Sequence, residues 1–194
     1  DLGQLIDWGL ESVWETAPKA ETKSVLTEYM LDRFSAWYKE QGIATEVFQA
    51  VRALGVTNAL DINNRVQAVN LFSSMDEAQA LASANKRVSN ILAKNGGESV
   101  SAEINPALLT EEAEKVLAQQ VAVKQTEVQP LLAEAKYKEA LASLADLRDA
   151  VDAFFDNVMV MADDEAVKNN RLALLKQLQG LFIAIADISL LQQN

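Results

Sequence analysis

Lys86, Asn90 and Lys94 recur at intervals of four residues, and Arg87 flanks them. At about 100° per residue a helix stacks these side chains on one face, in line with Gln79 and Ser83. Leu81, Ala84, Asn85, Val88, Ile91 and Leu92 then fall on the opposite face. No acidic residue interrupts the polar face after Glu77. Three cations and an amide in this order suit an anionic polymer. The cations hold phosphates, and the carboxamide reaches a base or backbone edge. The plain alternative is a solvated face whose basic last turn complements the helix dipole.

The surroundings sharpen the contrast. The chain has 194 residues, with 17 Lys and Arg against 28 Asp and Glu, a formal net charge of −11. Residues 52–94 are the exception, with Arg52, Arg65, Lys86, Arg87 and Lys94 against Asp61, Asp76 and Glu77. An acidic body repels nucleic acid and anionic lipid except where bases cluster. The chain has no Cys and no His. That excludes disulfides, a thiol nucleophile, Cys-ligated metals and imidazole acid–base chemistry. No phosphate loop follows a strand, and no serine elbow is present. No catalytic residue is therefore assigned. Asp152, Asp156, Asp163 and Asp164 lack the spacing and glycine of a calcium loop, so no metal site is assigned either.

Two arginines sit on apolar stripes. Arg33 lies among Leu26, Tyr29, Met30 and Trp37, and Arg171 among Leu174, Leu175, Leu178, Phe182 and Ile185. A buried arginine needs a partner. Asp152 and Asp156 are the expected partners of Arg171, in a structural ion pair. Arg33 is open to either a structural or a ligand role. Phe154 and Phe155 with Val151, Val158 and Met161 follow the helical period and are expected in the core. Trp8, Trp14 and Trp37 are expected as packing residues.

The elements that must position these groups are helices throughout. With 49% apolar residues, 23% charged, 7 Gly and 3 Pro, the balance is globular and poor in breakers. Helical periodicity predicts helices over about 2–15, 21–41, 45–54, 59–73, 76–94, 110–130, 136–146, 149–161 and 165–191. Thr45 and Thr110 are expected N-caps, Ser74 to Glu77 an expected capping box, and Pro130 a kink or stop. The fold class is all-α, a helical bundle of about eight helices in two packed subdomains, residues 21–95 and 110–191, joined by a connector at 96–109. The chain begins at Asp1 without Met, signal peptide or apolar span, which suggests an intracellular fragment of something longer.

Longer motifs go further. Asn85-Lys86-Arg87-Val88-Ser89-Asn90-Ile91-Leu92 resembles the KR-x-x-NIL segment of the bacterial glycyl-tRNA synthetase β-subunit family. The run from Val151 to Met161, VDAFFDNVMVM, is similar to that family's VDAFFDxVMVM signature, and Asn170-Arg171-Leu172 with Ala186-Asp187-Ile188-Ser189 resembles its closing helix. The likeness extends over residues 26–191.

This resemblance implies a DALR-type anticodon-binding domain over 21–194, with 1–20 the tail of a preceding helical domain. It implies a class II ligase of two chain types that charges tRNA-Gly using ATP. ATP and Mg would be held by the α subunit, and no cofactor by this chain. The implied partners are tRNA-Gly, the α subunit and the rest of the β subunit in a cytoplasmic heterotetramer, with no membrane and no DNA partner. It makes Lys86, Arg87 and Lys94 candidates for phosphates and Asn90 for a base or backbone edge, with Arg52, Arg65 and Arg33 as further candidates. The competing reading is a subunit-interaction module without direct tRNA contact.

Overall fold

The computed structural model describes residues 1–13 and 20–192. Nine α-helices appear among them: α1 (Leu2–Val13), α2 (Ala20–Glu40), α3 (Thr45–Arg52), α4 (Ala59–Ser73), α5 (Ala78–Lys94), α6 (Glu112–Ala133), α7 (Tyr137–Ala145), α8 (Arg148–Asn157) and α9 (Glu165–Ile183). Short 3-10 turns lie at Gly97–Ser99, Pro106–Leu108 and Ile188–Leu191. No strand occurs among the described residues, so the all-α expectation holds.

The helix ends show local chemistry at work, and several differ from expectation. The N-cap of α3 is Ala44, with Thr45 already helical. Ser74 closes α4, its Oγ donating to the Leu71 carbonyl at 2.6 Å. It is therefore spent before α5 begins, and Glu77 at the start of α5 makes no side-chain cap. Glu111 rather than Thr110 caps α6, in a capping box with Glu114. Pro130 sits inside α6, which ends within a turn beyond it. Ala135, at φ 54°, then turns the chain into α7. Asp164 caps α9, accepting from Ala166 and Val167 N–H at 2.8 and 3.0 Å.

One continuous core runs through both halves of the chain. It joins Val47, Phe48, Val66 and Phe72 to Leu117, Leu141, Phe154, Leu178 and Phe182. Helix α4 packs on α7, α6 packs on α7, α8 and α9, and α5 packs on α8, α9 and the final 3-10 turn. The connector is fastened to α9. Asn170 accepts from Asn105 N–H at 2.7 Å and donates to its carbonyl at 3.1 Å, and Gln177 donates to the Ala102 carbonyl at 2.5 Å.

Two helices stop short of their sequence patterns. Helix α9 ends at Ile183 rather than near 191. Arg65 Nη1 donates to the carbonyls of Ala184 and Ile185, the two residues after the helix, at 2.8 and 2.9 Å. Asp187 then starts the last 3-10 turn by accepting from Ser189 N–H and Oγ. Helix α8 ends at Asn157, and Val158 is extended. From there Val158 and Val160 are buried while Met159 and Met161 are exposed, so burial alternates along the segment. Met161 is thus not core, contrary to its helical spacing with Phe154. Trp8 and Trp37 are 67% and 50% exposed, so they are not the packing residues expected. Trp14 lies outside the described residues.

Candidate nucleic-acid interface

Helix α5 presents the predicted face. Leu81, Ala84, Val88 and Leu92 are buried, and Lys86, Arg87, Asn90 and Lys94 are exposed on the other side. Asn85 is buried and back-bonds to the Leu81 carbonyl at 2.9 Å, so the apolar face tolerates it. The four exposed side chains line a groove of about 630 Å³, and Met161, from beyond α8, lines it too. No carboxylate lies within ion-pair distance of Lys86, Arg87 or Lys94 among the described residues. Their charge is unneutralised at close range and available to an anion.

Arg87 has a second neighbour. Its guanidinium carbon lies 4.3 Å from the centroid of the Phe155 ring, a cation–π contact. Phe155 is held in turn by the fully buried Phe154, edge-on at 5.4 Å and 78°. Phe154 is in the core as expected, and Phe155 is partly buried, packed against that core while also lying under Arg87.

The other candidate cations are placed elsewhere, and two of them, Arg52 and Arg65, are paired with carboxylates. Arg65 is 12% exposed at its side chain and pairs with Asp61 at 2.8 Å. Its guanidinium covers the Tyr137 ring at 4.3 Å and caps α9, so it is a structural residue and presents no free donors outward. Arg52 is bound by Glu28 and Asp32, whose hydrogen bonds hold its pKa above the ordinary value. Arg33 is exposed rather than buried, because its stripe on α2 faces outward. It donates to Tyr29 Oη at 2.9 Å.

Arg171 does form a buried ion pair, but with Glu114 at 3.2 Å rather than with Asp152 or Asp156. Asp152 faces Arg148 at 3.8 Å, one turn away on α8, and Asp156 is exposed. Helix α8 turns both aspartates outward, while α6 brings Glu114 to the arginine. Sequence spacing could not show this, since the pair is 57 residues apart.

The residues missed by sequence reasoning are Phe155 and Met161, both in the VDAFFDNVMVM run. The available signal was the strict Val-Met-Val-Met alternation, which fits an extended segment better than a helix.

A model of the DALR anticodon binding domain family matches residues 81–188, just over half of the chain. The chain belongs to the DALR anticodon-binding domain family. Lys86, Arg87, Asn90, Lys94, Phe155 and Met161 all lie inside the matched stretch, whereas Arg33, Arg52 and Arg65 precede it. This DALR domain is similar to the glycine-tRNA ligase beta subunit of Pseudoalteromonas translucida, at 60% identity over 166 residues, covering 86% of the chain and 24% of the relative. It is 52% identical over 191 residues to the Marinobacter nauticus beta subunit, covering 98% and 27% of the two chains. The Vibrio atlanticus beta subunit is 51% identical over 193 residues, covering 100% and 28%. The chain thus spans about a quarter of the length of these relatives. No helix among the described residues of the DALR domain is long and apolar enough to cross a membrane.

Proposed function

We propose that this DALR domain serves a glycine-tRNA ligase beta subunit, and that the α5 groove receives the anticodon region of tRNA-Gly. The observation that carries this reading is the unpaired cluster of Lys86, Arg87 and Lys94 around Asn90, open to a groove on a protein of net charge −11. Anticodon loops offer unstacked bases and closely spaced phosphates, which such a face can meet. Lys86, Arg87 and Lys94 contact phosphates, and Asn90 contacts a base or backbone edge.

The reaction served is ATP-dependent charging of tRNA-Gly by a class II holoenzyme. ATP and Mg are held by an α subunit, and this chain performs no chemistry. The remaining partners are that α subunit and the rest of a β subunit, in a cytoplasmic heterotetramer. Three cations on an acidic body give weak binding, and the rest of the enzyme raises the effective tRNA concentration.

The test is a salt titration of binding to tRNA-Gly, with a tRNA of altered anticodon as control. Binding that weakens with salt and favours the glycine anticodon supports the reading. Equal affinity for both tRNAs removes the anticodon from it. A second reading, docking against another protein subunit, has its own observation: Leu5, Trp8, Tyr29 and Trp37 leave apolar surface exposed on α1 and α2. Trp8→Ala with Trp37→Ala separates the two, because it abolishes subunit capture and spares tRNA binding if that surface docks.

A further inference from the structure

Arg87 is exposed, closes no ion pair among the described residues and rests on the Phe155 ring. Its distinguishing property is a planar guanidinium, which stacks where an ammonium cannot. We infer that Arg87, backed by Phe155, is the stacking platform for a single unpaired nucleobase, and that Met161 walls the base on the far side of the groove. This rests on the reading of the α5 groove as an RNA site, and it names the part of the RNA that enters.

The geometry supports this in three ways. First, Phe155 is fixed by the buried Phe154, so the ring under Arg87 is preorganised and the side chain loses little freedom on binding. The guanidinium carbon lies 4.3 Å from the ring centroid, and Arg87 also lines the groove. Arginine planes are common stacking partners for splayed-out bases. Second, Asn90 stands one turn further along the same face and lines the same groove. It supplies both a donor and an acceptor for the edge of a base lying on Arg87. Third, Met161 is 47% exposed on the segment after α8, whose Val158 and Val160 are buried. A thioether is a polarisable, adaptable wall for an aromatic ring.

The occupant is an unpaired base rather than a duplex. A base in a stack has both faces covered and cannot reach a platform. Lys86 and Lys94 are eight residues apart, about 12 Å along the helix axis, so they take phosphates on opposite sides of the flipped nucleotide.

The experiment uses this chain and a stem-loop RNA with the tRNA-Gly anticodon loop, carrying 2-aminopurine at one loop position at a time. One position is expected to lose fluorescence on binding. Arg87→Lys keeps the charge and removes the plane. It should abolish that quench and weaken binding about tenfold with the salt slope unchanged. Phe155→Leu should act in the same direction, and Met161→Ala more weakly. Lys86→Gln and Lys94→Gln should lower the salt slope and leave the quench in place. If both lysine variants lower the slope while Arg87→Lys binds and quenches as the parent does, the platform is refuted and the RNA site stands. If none of the α5 variants alters binding, the RNA site itself fails. A blunt duplex RNA that binds as tightly as the stem-loop would also refute the platform.

Discussion

Arg171 and Glu114 form an ion pair across α9 and α6, Nε to Oε1 at 3.2 Å, with side chains 6% and 0% exposed. Other hydrogen bonds surround them. Arg171 donates to the Met159 carbonyl at 2.8 Å and to Thr110 Oγ1 at 3.0 Å. Glu114 accepts the N–H groups of Thr110 and Glu111 at 3.0 and 3.3 Å. The pair thus ties the start of α6 to the segment that carries Met161 into the groove.

Removing either partner should be costly, because it strands the other charge in the core. Glu114→Gln or Arg171→Met is expected to lower stability by about 3–5 kcal/mol. Replacing both with apolar residues of similar volume should cost less than either change alone. Chemical denaturation of the three variants checks this, and a double variant worse than both singles would contradict it.

Arg65 and the α5 cations should behave oppositely. Arg65→Gln removes the cap on α9 and the contact with Asp61, and should destabilise the fold by about 1–3 kcal/mol. Its binding to RNA should keep the parental salt slope once the protein is folded. A reduced slope would place Arg65 in the interface after all.

Lys86→Gln and Lys94→Gln should change no stability beyond about 0.5 kcal/mol, since both are exposed and unpaired. Each should lower the slope of log affinity against log salt by about 0.7 for one lost single-strand phosphate contact. Fluorescence anisotropy across a salt series reads this directly, and parallel lines for variant and parent would remove the residue from the interface.

Tyr137 predicts an alkaline weakness. Burial, and then its hydrogen bond to Asp61 at 2.5 Å, raise its pKa above the ordinary 10.0. The folded state therefore holds the phenol proton more tightly than the unfolded state. That contribution is complete below pH 10 and is lost as pH climbs through the raised folded value. Tyr38, raised by burial, adds in the same direction. Tyr137→Phe should lose about 1 kcal/mol near neutral pH. The gap between variant and parent should narrow above pH 10. Denaturation midpoints at pH 7, 9 and 10.5 test it, and a gap that widens would refute the assignment.

The fold class was legible because apolar periodicity is a local property. Each helix from α1 to α9 has its stripe within its own sequence, and few residues break it. The basic face was legible for the same reason: Lys86, Arg87, Asn90 and Lys94 lie within three turns of one helix, so their common orientation follows from helical geometry alone. The identity of the connector's restraints was not, because Asn105 meets Asn170 across 65 residues.

What the sequence determined by itself was therefore the all-helical class and which side chains share the α5 face. The tertiary structure alone decided which charges remain free. Arg65 and Arg87 look alike as residues, yet Arg65 meets Asp61, Tyr137 and the carbonyls after α9, whereas Arg87 lies against the Phe155 ring and pairs with no carboxylate among the described residues. It also decided where α8 and α9 stop. Beyond the last turn of α9 the carbonyls of Ala184 and Ile185 are held by Arg65, 119 residues away from Ala184 in the chain.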